Sequence, residues 1–124
     1  MPIRRGHAPI VFNEGAFAED TMRSGRAGAE VLREARGQFE RSGVKIKTLR
    51  RCDPEARDGT KLSACFKLYL PAPNGKFGMV FRFIRDSEGL ALRYLAFGVR
   101  HHPRDSNAQT VYEIAHRRLH GQLP

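Results

Sequence analysis

Apolar residues recur with two different periods along the chain, and the change of period separates helices from strands. Val31, Ala35 and Phe39 are spaced four apart within residues 14–41, which predicts a helix with one apolar stripe. The two glycines of "RSGRAG" weaken that helix, so two consecutive helices are expected, the second ending before Gly43.

Strict alternation of apolar and polar residues follows in the second half and predicts three strands. The strands are expected at residues 62–70, 76–85 and 90–99. Asn74-Gly75 is a strong hairpin signal between the first two, and "DSEG" (86–89) predicts the second turn. These three strands are therefore expected to pair in sequence as an antiparallel sheet.

The remaining segments complete the order of elements. "APIVF" (8–12) predicts a short strand, and residues 44–50 are a connector or a short strand. Residues 51–61 form a polar loop, and apolar residues at helical spacing predict a last helix over 107–120. The order β-α-α-β-β-β-α predicts an α+β fold, a small antiparallel sheet with helices packed on one face.

The length of 124 residues fits one domain. We expect residues 1–44 to supply an N-terminal strand and helix pair, and residues 45–120 to supply the sheet and the last helix, which carry the site.

Strand parity predicts one apolar and one polar face for the sheet. In "LSACFKLYL" the side chains of Cys65, Lys67 and Tyr69 lie opposite the leucines, and Arg82 lies opposite the aromatic side of its own strand. Solvated polar residues on a half-exposed sheet would show the same pattern. Convergence with the basic end of the last strand favours a functional face.

The charge balance indicates a polyanionic partner. Lys and Arg number 22 against 13 Asp and Glu, a net charge of +9, as is typical of proteins that bind nucleic acid or an acidic protein. Residues 61–124 hold ten of the basic and four of the acidic residues, together with four of the five histidines. Any site is therefore expected in that half.

Several classes of protein are disfavoured by what the sequence contains. Cys52 and Cys65 are too few for a disulfide framework, no CxxC pair suggests zinc, and reduced thiols suit a cytoplasmic protein. No apolar stretch predicts a signal or a membrane span, so no membrane partner is expected. No glycine-rich phosphate loop or nucleophile elbow is present, and we expect no cofactor and no metal.

The segment "AFGVRHHPRDSNAQTVYEIAHRRLH" (96–120) gathers groups suited to RNA cleavage without a metal. Arg100 can stabilise a phosphorane, while His101, His102 and Tyr112 are candidate proton donors or acceptors. Arg100 ends the last strand, where its side chain is expected to project toward solvent. The further candidates for binding RNA or phosphate are Tyr69, Lys76, Arg82, Arg93 and Arg117.

Three segments, in order, resemble the RelE/ParE toxin superfamily. "TLRRC…LSACFKLYL" is similar to that family's "LRG…CYKIKL", and "KFGMVFRFIRDSEGLALRYLAFGVR" is similar to its "YRLVYQVID…VVVFVISVGKR" hairpin. "VYEIAHRRL" resembles the closing "VYxxAxxRL". The likeness covers about residues 45–120, and the N-terminal part agrees only in pattern.

The resemblance implies a RelE-like fold and the toxin of a type II toxin–antitoxin system, which cuts mRNA in the ribosomal A site without metal. A cognate antitoxin, the ribosome and mRNA would be its partners. Lys67 matches the first lysine of the family's "KxK" pair, Arg100 the arginine that steadies phosphate, and Tyr112 the C-terminal tyrosine that stacks on the base or assists proton transfer.

The chain also departs from the family pattern. Tyr69 stands where the second lysine belongs, and Gly78 where a phosphate-binding arginine is expected; Lys76 or Arg82 would have to compensate. Related toxins use a histidine as the general acid near the point in the sequence where this chain has His101 and His102. The resemblance therefore implies that either histidine could take that role. A ParE-like inhibitor of DNA gyrase and a catalytically silent RelE-fold module that binds RNA or protein stay open as alternatives.

Overall fold

The computed structural model describes residues 5–71, 75–86, 89–102 and 109–121. Its elements follow the predicted order, with four two-residue strands in the N-terminal half. They are β1 (His7–Ala8), β2 (Ile10–Val11), α1 (Glu14–Arg23), α2 (Gly25–Ser42), β3 (Val44–Lys45), a 3-10 turn (Ile46–Thr48), β4 (Arg50–Arg51), β5 (Cys65–Tyr69), β6 (Phe77–Asp86), β7 (Gly89–Val99) and α3 (Val111–Leu119). The α+β class is confirmed.

The predicted first strand is split in two at Pro9, because proline lacks the N–H that a ladder needs. β1 pairs antiparallel with β3, whereas β2 joins the main sheet in parallel with β7, Ile10 opposite Leu92. The main sheet has the order β2-β7-β6-β5-β4. It is therefore mixed, and the prediction of a wholly antiparallel sheet is wrong at this edge.

The helix pair forms as predicted. The Asn13 side chain caps α1 by accepting a hydrogen bond from the backbone N–H of Ala16 at 3.1 Å. The chain breaks between the helices at Ser24, and Gly25 has a φ of 71° that favours glycine. α2 ends at Ser42 and is capped by Gly43, as the sequence indicated.

The predicted strand over residues 62–70 is shorter in the structure. Ala64 has a positive φ of 59°, which an extended strand does not accommodate, so β5 begins at Cys65. Leu62 remains buried before it. β6 and β7 form the predicted long hairpin, with a bulge at Leu95 opposite the step from Val80 to Phe81.

The core lies on both faces of the sheet. α1 and α2 cover one face, where the largest buried side chains are Leu32, Met79, Phe81, Leu92, Tyr94 and Phe97. α3 covers part of the other face, where Val111 and Ile114 pack against Cys65, Val80 and Ala96.

The prediction that all helices share one face is therefore wrong. Cys65, placed on a polar face by strand parity, is fully buried beneath α3. Burial of Val111 and Ile114 contributes about 1.5–3 kcal/mol each, which holds the last helix on the sheet.

α3 begins at a capping box. The Thr110 hydroxyl accepts a hydrogen bond from the N–H of Glu113 at 3.2 Å, and the Glu113 carboxylate accepts from the N–H of Thr110 at 2.9 Å. Parts of three predicted segments lie outside the described residues, namely 72–74 of the Asn74-Gly75 turn, 87–88 of the second turn and 107–108 of the predicted helix. Among the described helices, none has the length and apolar character needed to span a membrane.

Candidate functional site

Four of the predicted site residues meet beside the N-terminal end of α3. Lys67 and Tyr69 come from β5, Arg100 follows the end of β7, and Tyr112 lies in the first turn of α3. The Lys67 Nζ lies 5.6 Å from the centroid of the Tyr69 ring and 5.4 Å from that of the Tyr112 ring. The Arg100 Cζ lies 3.7 Å from the Tyr69 centroid. We call these four residues the cationic cluster.

Gly78 makes room for the Arg100 side chain. Gly78 is the cross-strand partner of Tyr69, and a Cβ at this position would lie 3.1 Å from the Arg100 Cγ. Arg100 therefore crosses the glycine, stacks on Tyr69, and donates a hydrogen bond from Nη1 to the carbonyl of Gly75 at 3.0 Å. The family pattern predicts an arginine at position 78. In this chain the guanidinium of Arg100, which follows the neighbouring strand β7, reaches the same part of the sheet.

Arg100 does not project freely into solvent, contrary to the sequence-based expectation. It is half-buried, and its buried Nε has no hydrogen-bond partner among the described residues. A buried donor without an acceptor is costly. Among the described residues, the Nε of Arg118 is buried and unpartnered in the same way.

The environments of the two tyrosines move their pKa values in opposite directions. Burial raises the pKa of Tyr69, but a hydrogen bond from Lys67 and the charges of Lys67 and Arg100 outweigh it, so the pKa is lowered. Burial raises the pKa of Tyr112 more than the nearby Lys67 charge lowers it. Tyr69 is thus the easier of the two to deprotonate.

A cleft of about 620 Å³ opens next to Lys67 and Tyr112. The loop between β4 and β5 forms one wall, and His101 lines the cleft as well. In this loop the Asp58 carboxylate accepts hydrogen bonds from the Thr60 N–H at 2.9 Å and hydroxyl at 2.7 Å. Burial raises the pKa of Asp58, but these hydrogen bonds and the neighbouring His102 outweigh it and leave the pKa lowered. The cleft thus has an ionised carboxylate on one side and a cation on the other.

His116 of α3 and His120, the residue that follows the helix, hydrogen-bond to this loop. His116 Nδ1 accepts a hydrogen bond from the N–H of Lys61 at 2.9 Å, and His120 Nε2 lies 3.0 Å from the carbonyl oxygen of Lys61. Their rings are 4.5 Å apart. The wall of the cleft and the helix that carries Tyr112 are thereby held together.

The other predicted site residues lie outside the cationic cluster. His102 Nε2 is 3.1 Å from the Glu113 carboxylate, at the cap of α3. The Lys76 Nζ lies 5.6 Å from the centroid of the Phe77 ring, and Arg117 lies farther along α3. His102 and Lys76 therefore engage neighbours of their own.

Arg82 and Arg93 are brought together, but elsewhere. They are directly opposed on β6 and β7 and line a separate cavity of about 210 Å³ with Arg118. The second core beneath α3 lies between this pair and Lys67. Arg82 is thus not placed to compensate for the glycine at position 78.

Sequence reasoning missed a buried ionic network at the other end of α3. Asp20 is fully buried and accepts hydrogen bonds from the Tyr94 hydroxyl, from the Phe97 N–H at 3.0 Å and from Arg118 Nη1 and Nη2 at 2.8 Å. Arg23 also donates to it. We call this set the Asp20 network; it joins α1, β7 and α3. A single aspartate on a polar helix gave no signal of it.

The two cysteines are free and buried. Burial raises the pKa of Cys52 to about 12 and that of Cys65 to about 11. Both thiols are thus poor nucleophiles. Among the described residues, no group of three His, Cys, Asp or Glu side chains is arranged to hold a metal ion.

Comparison with known proteins gives one structural relation. No family model matches the chain, and no curated protein matches it. Among solved structures, an arginine-to-alanine double mutant of E. coli toxin RelE in the free state is similar over 91% of this chain and 98% of its own length. Its sequence is 18% identical, and the TM-score is 0.44.

Proposed function

We propose that the protein is a RelE-like toxin that cleaves translated mRNA on the ribosome. The observation that carries the proposal is the cationic cluster, in which one guanidinium stacks on one tyrosine and one ammonium lies between two tyrosines. The ordered resemblance of residues 45–120 to the toxin motifs supports the same assignment.

The cluster contains what cleavage of an RNA phosphodiester needs. The 2′-hydroxyl must lose its proton as its oxygen attacks the adjacent phosphorus. The bond to the 5′-oxygen then breaks, that oxygen takes up a proton, and a 2′,3′-cyclic phosphate is left. Arg100 and Lys67 would stabilise the charge that builds on the phosphorane oxygens.

The opposite pKa shifts of the two tyrosines support one division of the proton transfers between them. Tyr69, whose pKa is lowered, is the proposed general base. Tyr112, whose pKa is raised, keeps its proton and is the proposed general acid. His101 lines the same cleft and is the second candidate for the acid. The Tyr112 ring also offers a surface on which a base can stack.

The proposed partners follow from the same surface. In a cytoplasm, an exposed basic cluster would bind RNA at large, so a neutralising antitoxin would cover it with acidic or apolar side chains. The ribosome would present the mRNA. No metal or cofactor enters the proposed reaction.

A second candidate is a catalytically silent module that binds RNA. It is favoured by Gly78, because one cation of the family pattern is missing and the Arg100 side chain fills its place while donating to the Gly75 carbonyl. Such a module would hold phosphate without cutting.

The test is incubation of the purified protein with ribosomes programmed with a defined mRNA, followed by mapping of the RNA ends. Cleavage in the A-site codon that leaves a 2′,3′-cyclic phosphate supports the toxin proposal. Binding of intact mRNA favours the silent module. Intact mRNA in cells, together with gyrase-linked DNA breaks, would favour the ParE-like alternative.

A further inference from the structure

A groove of about 950 Å³ runs along the edge of the sheet. Its walls carry four exposed cations, namely Arg5, Lys45, Lys47 and Arg50, and its floor includes Leu68. None of its described lining residues is acidic. Within the described residues, none of the four cations forms an ion pair with a carboxylate.

The cations of this groove are held on hydrogen-bonded backbone. Lys45 lies in β3, directly opposite His7 of β1. The 3-10 turn that carries Lys47 is closed by a hydrogen bond from the N–H of Leu49 to the carbonyl of Ile46 at 3.1 Å. Positive charge is thus concentrated on a fixed wall.

The groove is continuous with the cationic cluster. Tyr69 lines the groove, is 42% exposed, and carries Arg100 on its ring. Arg50 of β4 is the cross-strand partner of Lys67. Two like charges placed directly opposite each other destabilise a sheet, so this pair is most easily understood if a polyanion binds across it.

We propose that the groove binds the nucleotides that flank the scissile phosphate on one side, as a track for single-stranded RNA. Tyr69 would be the stacking platform at its entrance, and the lysine wall would follow the phosphates. An aromatic platform combined with a basic groove is the arrangement by which proteins hold single strands without sequence preference. The inference rests on the proposed function, since it takes RNA as the substrate.

The test measures binding of a single-stranded RNA of about 12 nucleotides whose 2′-hydroxyls are all methylated, so that it cannot be cleaved through a 2′-hydroxyl. The variant is Lys45→Ala with Lys47→Ala. The matched control is Arg26→Ala with Arg33→Ala, which removes the same charge from the exposed side of α2.

Two phosphate contacts on a single strand account for about 1.4 in the slope of log affinity against log salt. The slope of the lysine variant is expected to be smaller than that of the parent by this amount. This corresponds to an affinity about 25-fold lower at roughly 0.1 M salt. The arginine control is expected to keep the slope of the parent. Equal slopes for the parent and the lysine variant would refute the proposal that the groove binds single-stranded RNA.

Three further outcomes separate this inference from the proposed function and from a protein occupant. A parent that binds through the lysine wall but leaves ribosomal mRNA intact refutes the cleavage proposal and keeps the track. A parent that cuts mRNA while its lysine variant binds and cuts equally well refutes the track alone. An acidic peptide of equal charge that binds more tightly than the RNA, and in a lysine-dependent way, would make the groove a protein site instead.

Discussion

The two ends of α3 hold arginines in opposite electrostatic surroundings. At the C-terminal end, Arg118 is nearly buried and pairs with Asp20 and Glu19. At the N-terminal end, Arg100 stacks on Tyr69, and within the described residues no carboxylate pairs with Arg100 or with Lys67.

The difference separates a group of charges that are paired with each other from the proposed site, whose cations have no carboxylate partner among the described residues. In the Asp20 network the cations are paired with acids, so the network joins elements of the fold. In the cationic cluster the charges face hydroxyls and a carbonyl, and their attraction for an anion is not satisfied internally. Burial alone does not show whether an arginine is structural or binds a ligand; the partners of its guanidinium decide.

The largest expected effect is on stability, at the Asp20 network. Asp20→Ala leaves Arg118 buried without its main partner and should cost about 3–5 kcal/mol of unfolding free energy. Urea denaturation measures the loss. Glu30→Ala, which removes an exposed partner 3.8 Å from Arg26, is the matched control and should change little.

If Asp20→Ala leaves too little folded protein, Asp20→Leu combined with Arg118→Met provides a second measurement. Removing both charges together should restore much of the lost stability. A single Asp20→Ala variant as stable as its parent would contradict the structural reading of this network.

The next effect is on catalysis, at Tyr69. Tyr69→Phe removes the proposed base and should lower single-turnover cleavage about 10²-fold. Because the pKa of Tyr69 is lowered, the rate of the parent should rise with pH below the ordinary tyrosine pKa, as the phenolate fraction grows. The variant should lose this rise, and a rise that persists in it would assign the pH dependence to another group.

A smaller effect is expected at Gly78. In Gly78→Ala the new Cβ would lie 3.1 Å from the Arg100 Cγ and 3.5 Å from the Leu68 carbonyl oxygen, so the arginine must shift by a few tenths of an ångström. Misplacing one positioned group by that amount should lower cleavage about tenfold. Gly37→Ala, whose nearest neighbour is the flexible end of Arg41, is the control and should cut like the parent.

Local sequence patterns predicted most of the fold and named the four residues that meet in the cationic cluster. Alternation placed Lys67 and Tyr69 on one side of β5, and the end of the apolar run placed Arg100 beside them. The same rule failed for Cys65, because a sheet face with small apolar residues such as Val80 and Ala96 can be covered by a helix from far along the chain. Parity alone does not show which face a later helix covers.

The pieces that could not be predicted depend on contacts between distant residues. The stacking of Arg100 on Tyr69 needs the space that the absent side chain of Gly78 leaves. In the sequence, Gly78 showed only that an expected arginine is missing. Asp20 meets Tyr94 and Arg118 only after three elements have packed. Neither arrangement has a local period or a motif.

The most direct test of the central claim is the cleavage rate of Arg100→Ala and Arg100→Lys beside the parent, on ribosomes programmed with the same mRNA. Loss of one donor to developing negative charge predicts a rate about 10²–10³ lower for the alanine variant. The lysine variant should recover only part, because a point charge cannot reproduce the guanidinium fork. Circular dichroism should show both variants folded. A folded Arg100→Ala protein that cuts as fast as the parent would contradict the claim that the cationic cluster is the active site.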